Sequence, residues 1–194
     1  MRKVSEGMIA LALCASLLTG CSGSTAESSG SALAAEANVD LTSSGYYQYL
    51  GNIDYSTDAA ALVWEQVEGE DPGFYGIQYR AITDFNGLTS QEEIPVVLYF
   101  YSDAARGSQS LTAGVEDLAQ TLVGQALFIA VDGVEADAIS TAYEVGGYPE
   151  FILINDNARI STFSGFDLEE WSIDDVSAWL VDNGFEPDLS MLMR

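Results

Sequence analysis

Val96-Val97-Leu98-Tyr99-Phe100-Tyr101 is an unbroken apolar run behind Pro95. A strand with one wet face alternates apolar and polar side chains, so an unbroken run of this length fits a strand covered on both faces. The residues after it supply the cover. A short loop, Ser102–Ser108, leads to Leu111, Val115, Leu118, Ala119 and Leu122, which recur at helical spacing. Ala126–Val131 reads as a second buried strand. Asp132 with Glu135 three residues on has the capping-box pattern for a helix carrying Ile139 and Tyr143. Gly146-Gly147-Tyr148-Pro149 then opens a hairpin, with strands over 150–154 and 160–165 around the turn-forming Asn155–Arg159. Ser172 and Asp175 form another capping box, Val176, Trp179 and Leu180 an apolar face, and Gly184 a stop. Strands alternating with helices predict an α/β fold around a central sheet.

Upstream the pattern is harder to read. Gly76–Thr83 is expected to be the first strand of that fold, followed by a short helix or turn over 84–93. Tyr46, Tyr47, Tyr49, Tyr55, Trp64, Phe74, Tyr75 and Tyr79 crowd the preceding segment. Ser56-Thr57-Asp58 before Ala59–Val67 predicts a capped helix stopped by Gly69. The aromatics fit either a stacking platform for sugars or peptide, or an extra layer packed on the core.

The N-terminus has its own logic. Arg2 and Lys3 precede an apolar run, Met8–Leu18, too short to span a bilayer. It ends in Leu18-Thr19-Gly20-Cys21, which resembles the lipobox of bacterial lipoproteins. That resemblance implies cleavage before Cys21, acylation of Cys21 with chains such as palmitate, and an extracytoplasmic protein held to a bacterial membrane by lipid. The alternative is a secretory peptide cut elsewhere, with Cys21 incidental. Residues 22–44 are rich in Ser, Ala, Gly and Thr and read as a disordered tether spanning about 25 Å. Cys14 would leave with the signal peptide, so the mature chain would hold no free thiol and no internal disulfide.

Composition removes further chemistry. The chain has no His, and its one Lys is Lys3. Histidine-based nucleophile pairs, imidazole metal ligands and a P-loop lysine are therefore excluded from a mature chain. The formal net charge is −24, and loss of Arg2, Lys3 and Glu6 would leave it one unit more negative. Such a surface repels phosphate backbones, which argues against nucleic acid, and attracts cations or basic surfaces.

Taken together, the strand ending Phe100-Tyr101, the helix after Ser108, the strand ending Val131-Asp132 and Gly147-Tyr148-Pro149 before the hairpin resemble the thioredoxin fold over about 77–185. The resemblance implies a thioredoxin-like central sheet flanked by helices, here with an aromatic-rich N-terminal segment added. It also implies a cis peptide bond at Pro149. In that family the loop after the central strand carries Cys-x-x-Cys. The matching positions here are Ala105, Arg106, Gly107 and Ser108, and the chain has no Cys after Cys21. The family's buried acid and its lysine partner fall at Tyr99 and Phe128. Thiol-disulfide exchange is therefore not expected.

The domain expectation is a signal peptide over 1–20, a lipidated Cys21 and tether over 21–44, an N-terminal extension over 45–76, the thioredoxin-like domain over 77–185 and a tail over 186–194. The functional expectation is a non-enzymatic adaptor without cofactor or metal. It would hold an extracytoplasmic protein or peptide in a groove lined by Ala105, Arg106, Gly107, Ser108, Tyr148 and Pro149. Alternatives are a cation-binding acidic surface protein, or an enzyme that works through carboxylates rather than thiols. No stretch matches an EF-hand loop.

Overall fold

The computed structural model describes residues 44–70, 73–104 and 108–193, all within one compact unit, Asn38–Arg194. Expectations for Cys21, the signal peptide and the tether lie outside the described residues. The strands are β1 (Leu50–Ile53), β2 (Ala59–Gln66), β3 (Tyr75–Ile82), β4 (Val96–Tyr101), β5 (Leu127–Asp132), β6 (Glu150–Asn155) and β7 (Ala158–Ser164). The helices are α1 (Phe85–Thr89), α2 (Ser108–Thr121), α3 (Asp137–Ala142) and α4 (Ile173–Asp182). All seven strands form one mixed sheet in the order β1-β3-β2-β5-β4-β6-β7. β4 and β5 run parallel, and every other pair is antiparallel.

The central strand is covered on both faces, as its unbroken apolar run requires. Val96, Leu98 and Phe100 point to one side with Leu127, Ile129 and Val131 of β5, beneath Leu88 of α1 and Ile139 of α3. Val97 and Tyr99 point to the other with Phe128 and Phe151, beneath Val115 and Leu118 of α2 and Val176 and Leu180 of α4. The amphipathic stripe read in α2 is therefore the face it buries. Asp175 accepts from the Ser172 backbone N–H at 2.7 Å, so the box that opens α4 is present. Asp156 and Asn157 turn the β6–β7 hairpin with φ of 46° and 57°, backbone that Asx residues tolerate.

Two local expectations are corrected. Ala59–Val67 is not a helix: Ala59–Gln66 is β2, an interior strand. It pairs with β3 from Ala60↔Ala81 to Gln66↔Tyr75 and with β5 from Ala59↔Val131 to Leu62↔Phe128. A helix here would bury one stripe and leave β5 with an open edge. The strand buries Ala61, Leu62 and Val63 from both sides, and tertiary pairing overrides alanine's helix preference. The Ser56-Thr57-Asp58 stretch forms a turn instead, with Asp54 Oδ1 accepting from the Ser56 N–H and hydroxyl at 2.9 and 2.7 Å. Trp64, Tyr75 and Tyr79 of the aromatic segment are accordingly built into the sheet, whereas Tyr46, Tyr47 and Tyr49 form a 3-10 turn ahead of β1 that packs on the core through Tyr46. The strand expected over 76–83 is β3, and β2 separates it from β5.

The second correction is smaller. Asp132 does not cap α3, which starts at Asp137 with Ala136 at its N-cap and no side-chain bond there. Asp132 Oδ1 instead accepts from Val134 and Glu135 N–H at 3.0 and 3.3 Å, closing the turn that leaves β5. The chain end is also tied down. Asp188 N–H donates to Thr121 O at 2.8 Å, and Gln125 exchanges two bonds with the backbone of Glu186.

Candidate functional site at the strand ends

The parallel pair β4 and β5 ends at Tyr101 and Asp132, and the chain must turn outward at both. In open α/β sheets the crevice at the carboxyl ends of such strands is where ligands are met. Here it is built by backbone bonds across the strand ends. Gly133 N–H donates to Tyr101 O, and Asp132 N–H donates to Asp58 O, both at 2.7 Å. The second bond brings the turn before β2 to the same end.

The segment Gly146–Pro149 closes the other side. The Tyr148–Pro149 bond is cis, as the resemblance implies. Tyr148 donates its hydroxyl to Gly133 O at 2.6 Å, an acceptor shared with the Ser140 hydroxyl at 2.9 Å. Glu150, buried at the start of β6, accepts from Gly146 N–H at 3.0 Å through Oε2. Phe166 packs against Gly146 and Gly147 so closely that a Cβ on Gly147 would lie 2.7 Å from its ring. This side of the crevice is held from within by Tyr148 and covered in part by Phe166.

Gly133 is needed here for space rather than for its backbone angles. A Cβ at Gly133 would lie 2.0 Å from Tyr148 Cε1. Gly133→Ala is therefore expected to displace the Tyr148 ring, break its bond to Gly133 O and cost about 1–3 kcal/mol, the usual range for overpacking. Tyr148→Ala should suppress that cost in a double-mutant cycle. Additive urea-denaturation energies would show that the two residues do not meet.

Of the residues singled out from sequence, Tyr148 and Pro149 stand at this end of the sheet. Ser108 opens α2, while Ala105, Arg106 and Gly107 lie outside the described residues. Tyr99 and Phe128, which the resemblance sets at the family's acid and lysine positions, are sealed beneath α2 and α4. The Tyr99 ring stacks on Phe151 at 4.8 Å and on Tyr101 at 5.5 Å. Burial pushes its phenol well above the ordinary tyrosine range, so at neutral pH it keeps its proton.

Two groupings escape the sequence. Glu65, 8% exposed, is gripped by Arg80 Nε at 2.9 Å and accepts the Tyr47 hydroxyl at 2.6 Å. Arg80 also donates to Gly51 O at 2.9 Å and lies 4.9 Å over the Tyr47 ring. Beside the strand ends, Asp54, Tyr55, Tyr79, Tyr101 and Glu116 line a cleft of about 270 Å³. The tyrosine density of 46–79 is the signal for both, but the partners are set by strand pairing.

A sheet with parallel inner strands, helices on both faces and a cis-proline at its mouth is an α/β architecture of the thioredoxin-like class. The model of the thioredoxin family matches residues 77–176. Thioredoxin-1 of Drosophila yakuba is 26% identical over 89 residues, which cover 45% of this chain and 83% of that protein. Among solved structures, a thioredoxin variant from Halobacterium salinarum shares 27% identity with a TM-score of 0.42, covering 55% of this chain and 87% of its own. Mitochondrial thioredoxin 3 from Saccharomyces cerevisiae shares 21% with a TM-score of 0.44, covering 50% and 86%. The family match takes in just over half of the 194 residues. The chain belongs to the thioredoxin family. The match begins inside β3 and leaves β1 and β2 outside it.

Proposed function

We propose that this chain is a membrane-anchored extracytoplasmic lipoprotein whose thioredoxin-family domain binds a protein or peptide without thiol chemistry. The observation that carries the reading is the absence of Cys from Ser22 to Arg194, with Tyr148 held at the mouth of the sheet by its bond to Gly133 O. Disulfide exchange proceeds by attack of a thiolate. Residues 22–194 supply none, and the phenol of Tyr99 stays protonated where the family keeps an acid. The backbone beside Pro149 is the part that, in the family, pairs with an extended chain. Arg106, one of four cations after Cys21, falls in the stretch that the resemblance matches to Cys-x-x-Cys. Anchoring rests on Leu18-Thr19-Gly20-Cys21.

The test is crosslinking on intact cells followed by mass spectrometry, with an Arg106→Glu, Tyr148→Ala variant alongside. The expected result is one protein captured by the wild type and lost in the variant, with no turnover of insulin disulfides by either. Capture that survives the variant, or insulin reduction by the wild type, would overturn the reading.

A further inference from the structure

We propose that the cleft lined by Tyr55, Tyr79, Tyr101, Asp54 and Glu116 is a binding site for an organic ammonium group. It uses the turn before β2, the end of β4 and one face of α2, and it stands independently of the groove beside Pro149. Its volume, about 270 Å³, lies just under the usual range of ligand pockets, about 300–1,000 Å³, and suits a head group rather than an extended molecule.

Tyr55 is the least expected member. It is 67% exposed, so it does not fill the core, yet both ends of its ring are held. Its hydroxyl donates to Gln78 Oε1 at 3.0 Å, and its ring packs 5.4 Å from Tyr79 at 41°. Tyr79 in turn donates its hydroxyl to Glu116 Oε1 at 2.8 Å, which fixes that carboxylate in the cleft wall. Asp54 is fixed by Ser56. The cleft thus presents aromatic rings and carboxylates already ordered before any ligand arrives, which lowers the entropic cost of binding.

The surrounding charge has one sign. Burial, and after it Asp132, Asp103 and Asp58, raise the Tyr101 phenol, so three further carboxylates bear on the same end. Among the described residues that line the cleft, none is basic. An anion is repelled. A metal ion is poorly served, because no three His, Cys, Asp or Glu groups among the described residues converge closely enough to hold one. An ammonium group with an apolar shell satisfies both wall types. Its charge meets the ring faces and the carboxylates, and its carbons meet the rings.

The experiment uses the full chain and two probes: choline, and N-acetyl-lysine amide. 3,3-Dimethylbutanol serves as choline's neutral isostere. Binding is read by saturation-transfer NMR and calorimetry. Choline or the lysine derivative is expected to bind about tenfold or more tightly than the neutral isostere. Tyr55→Ala should weaken binding about five- to tenfold and Tyr55→Phe less than about twofold, as loss or retention of a cation–π contact requires. Glu116→Gln should weaken it as well, since the amide oxygen can still accept from Tyr79 while the charge is gone. Choline alone would assign the site to a free quaternary amine, and the lysine derivative alone to a side chain on another protein; either supports the shared chemistry. Equal binding of the isostere, no binding of either probe at millimolar concentration, or unchanged affinity in a Tyr55→Ala protein with wild-type urea midpoint would overturn it.

Discussion

Arg80→Ala is expected to destabilise the domain by about 3–5 kcal/mol, the range for removing one partner of a buried ion pair. Glu65 has little access to water, so its charge depends on the guanidinium at 2.9 and 3.0 Å and on the Tyr47 hydroxyl. Without Arg80, the Glu65 carboxylate keeps only the Tyr47 hydroxyl as a partner in a place with little water, and Gly51 O loses a donor as well. The group joins three parts of the sheet's outer half: Tyr47 before β1, Glu65 in β2 and Arg80 in β3. The expected fall in melting temperature is about 10 °C. The double variant Glu65→Leu, Arg80→Leu should recover most of the loss, because an apolar pair of similar volume removes the stranded charge along with its partner. Urea denaturation of both proteins measures this. A single variant costing less than about 1 kcal/mol would mean that Glu65 is solvated after all.

The second large effect is expected at Phe151. Its side chain is fully buried in β6, stacked on Tyr99 at 4.8 Å and 18°, with Phe163 at 6.2 Å and Trp171 at 6.4 Å meeting it edge-on. Phe151→Ala removes the member common to all three contacts. Loss of buried area plus the cavity left behind should cost about 3–5 kcal/mol. Phe151→Leu keeps most of the volume and should cost clearly less. The urea midpoint should fall with little change in the slope, and the tryptophan fluorescence of the folded state should shift as Trp171 loses its neighbour. A cost below about 1.5 kcal/mol would show that the cluster closes over the gap. The position next to it is Glu150, which anchors Gly146, so a loosened β6 would also loosen the strand-end crevice.

The inner sheet and its helical cover are legible in the sequence because their signals are local and agree. The runs Val96–Tyr101 and Ala126–Val131 admit few packings, Ser172 and Asp175 sit three apart, and Asn155–Arg159 carries turn residues. The outer sheet is not legible in the same way. Ala59–Gln66 is a short apolar run in which alanine's helix preference and burial on both faces point opposite ways, and only the neighbouring strands decide. The same holds for the groups that depend on β2. Glu65 and Arg80 are fifteen residues apart, and Tyr79 and Glu116 thirty-seven. No spacing rule joins such pairs until the strand order is known. Gly133 is similar: nothing in its local sequence indicates that a tyrosine ring fifteen residues on takes the place of its side chain.

The direction of β2 has a consequence for how such a protein can change. Because β2 runs against β5, the turn that enters it is delivered to the end where β4 and β5 finish. Had it run the other way, that turn would sit at the far end and Tyr55 with it. The inherited core and the flank that borders its mouth are thus separate stretches of the chain, one inside the family match and one outside. A descendant could exchange residues 54–58 for another loop and acquire a new ligand preference while every strand and helix of the core kept its neighbours.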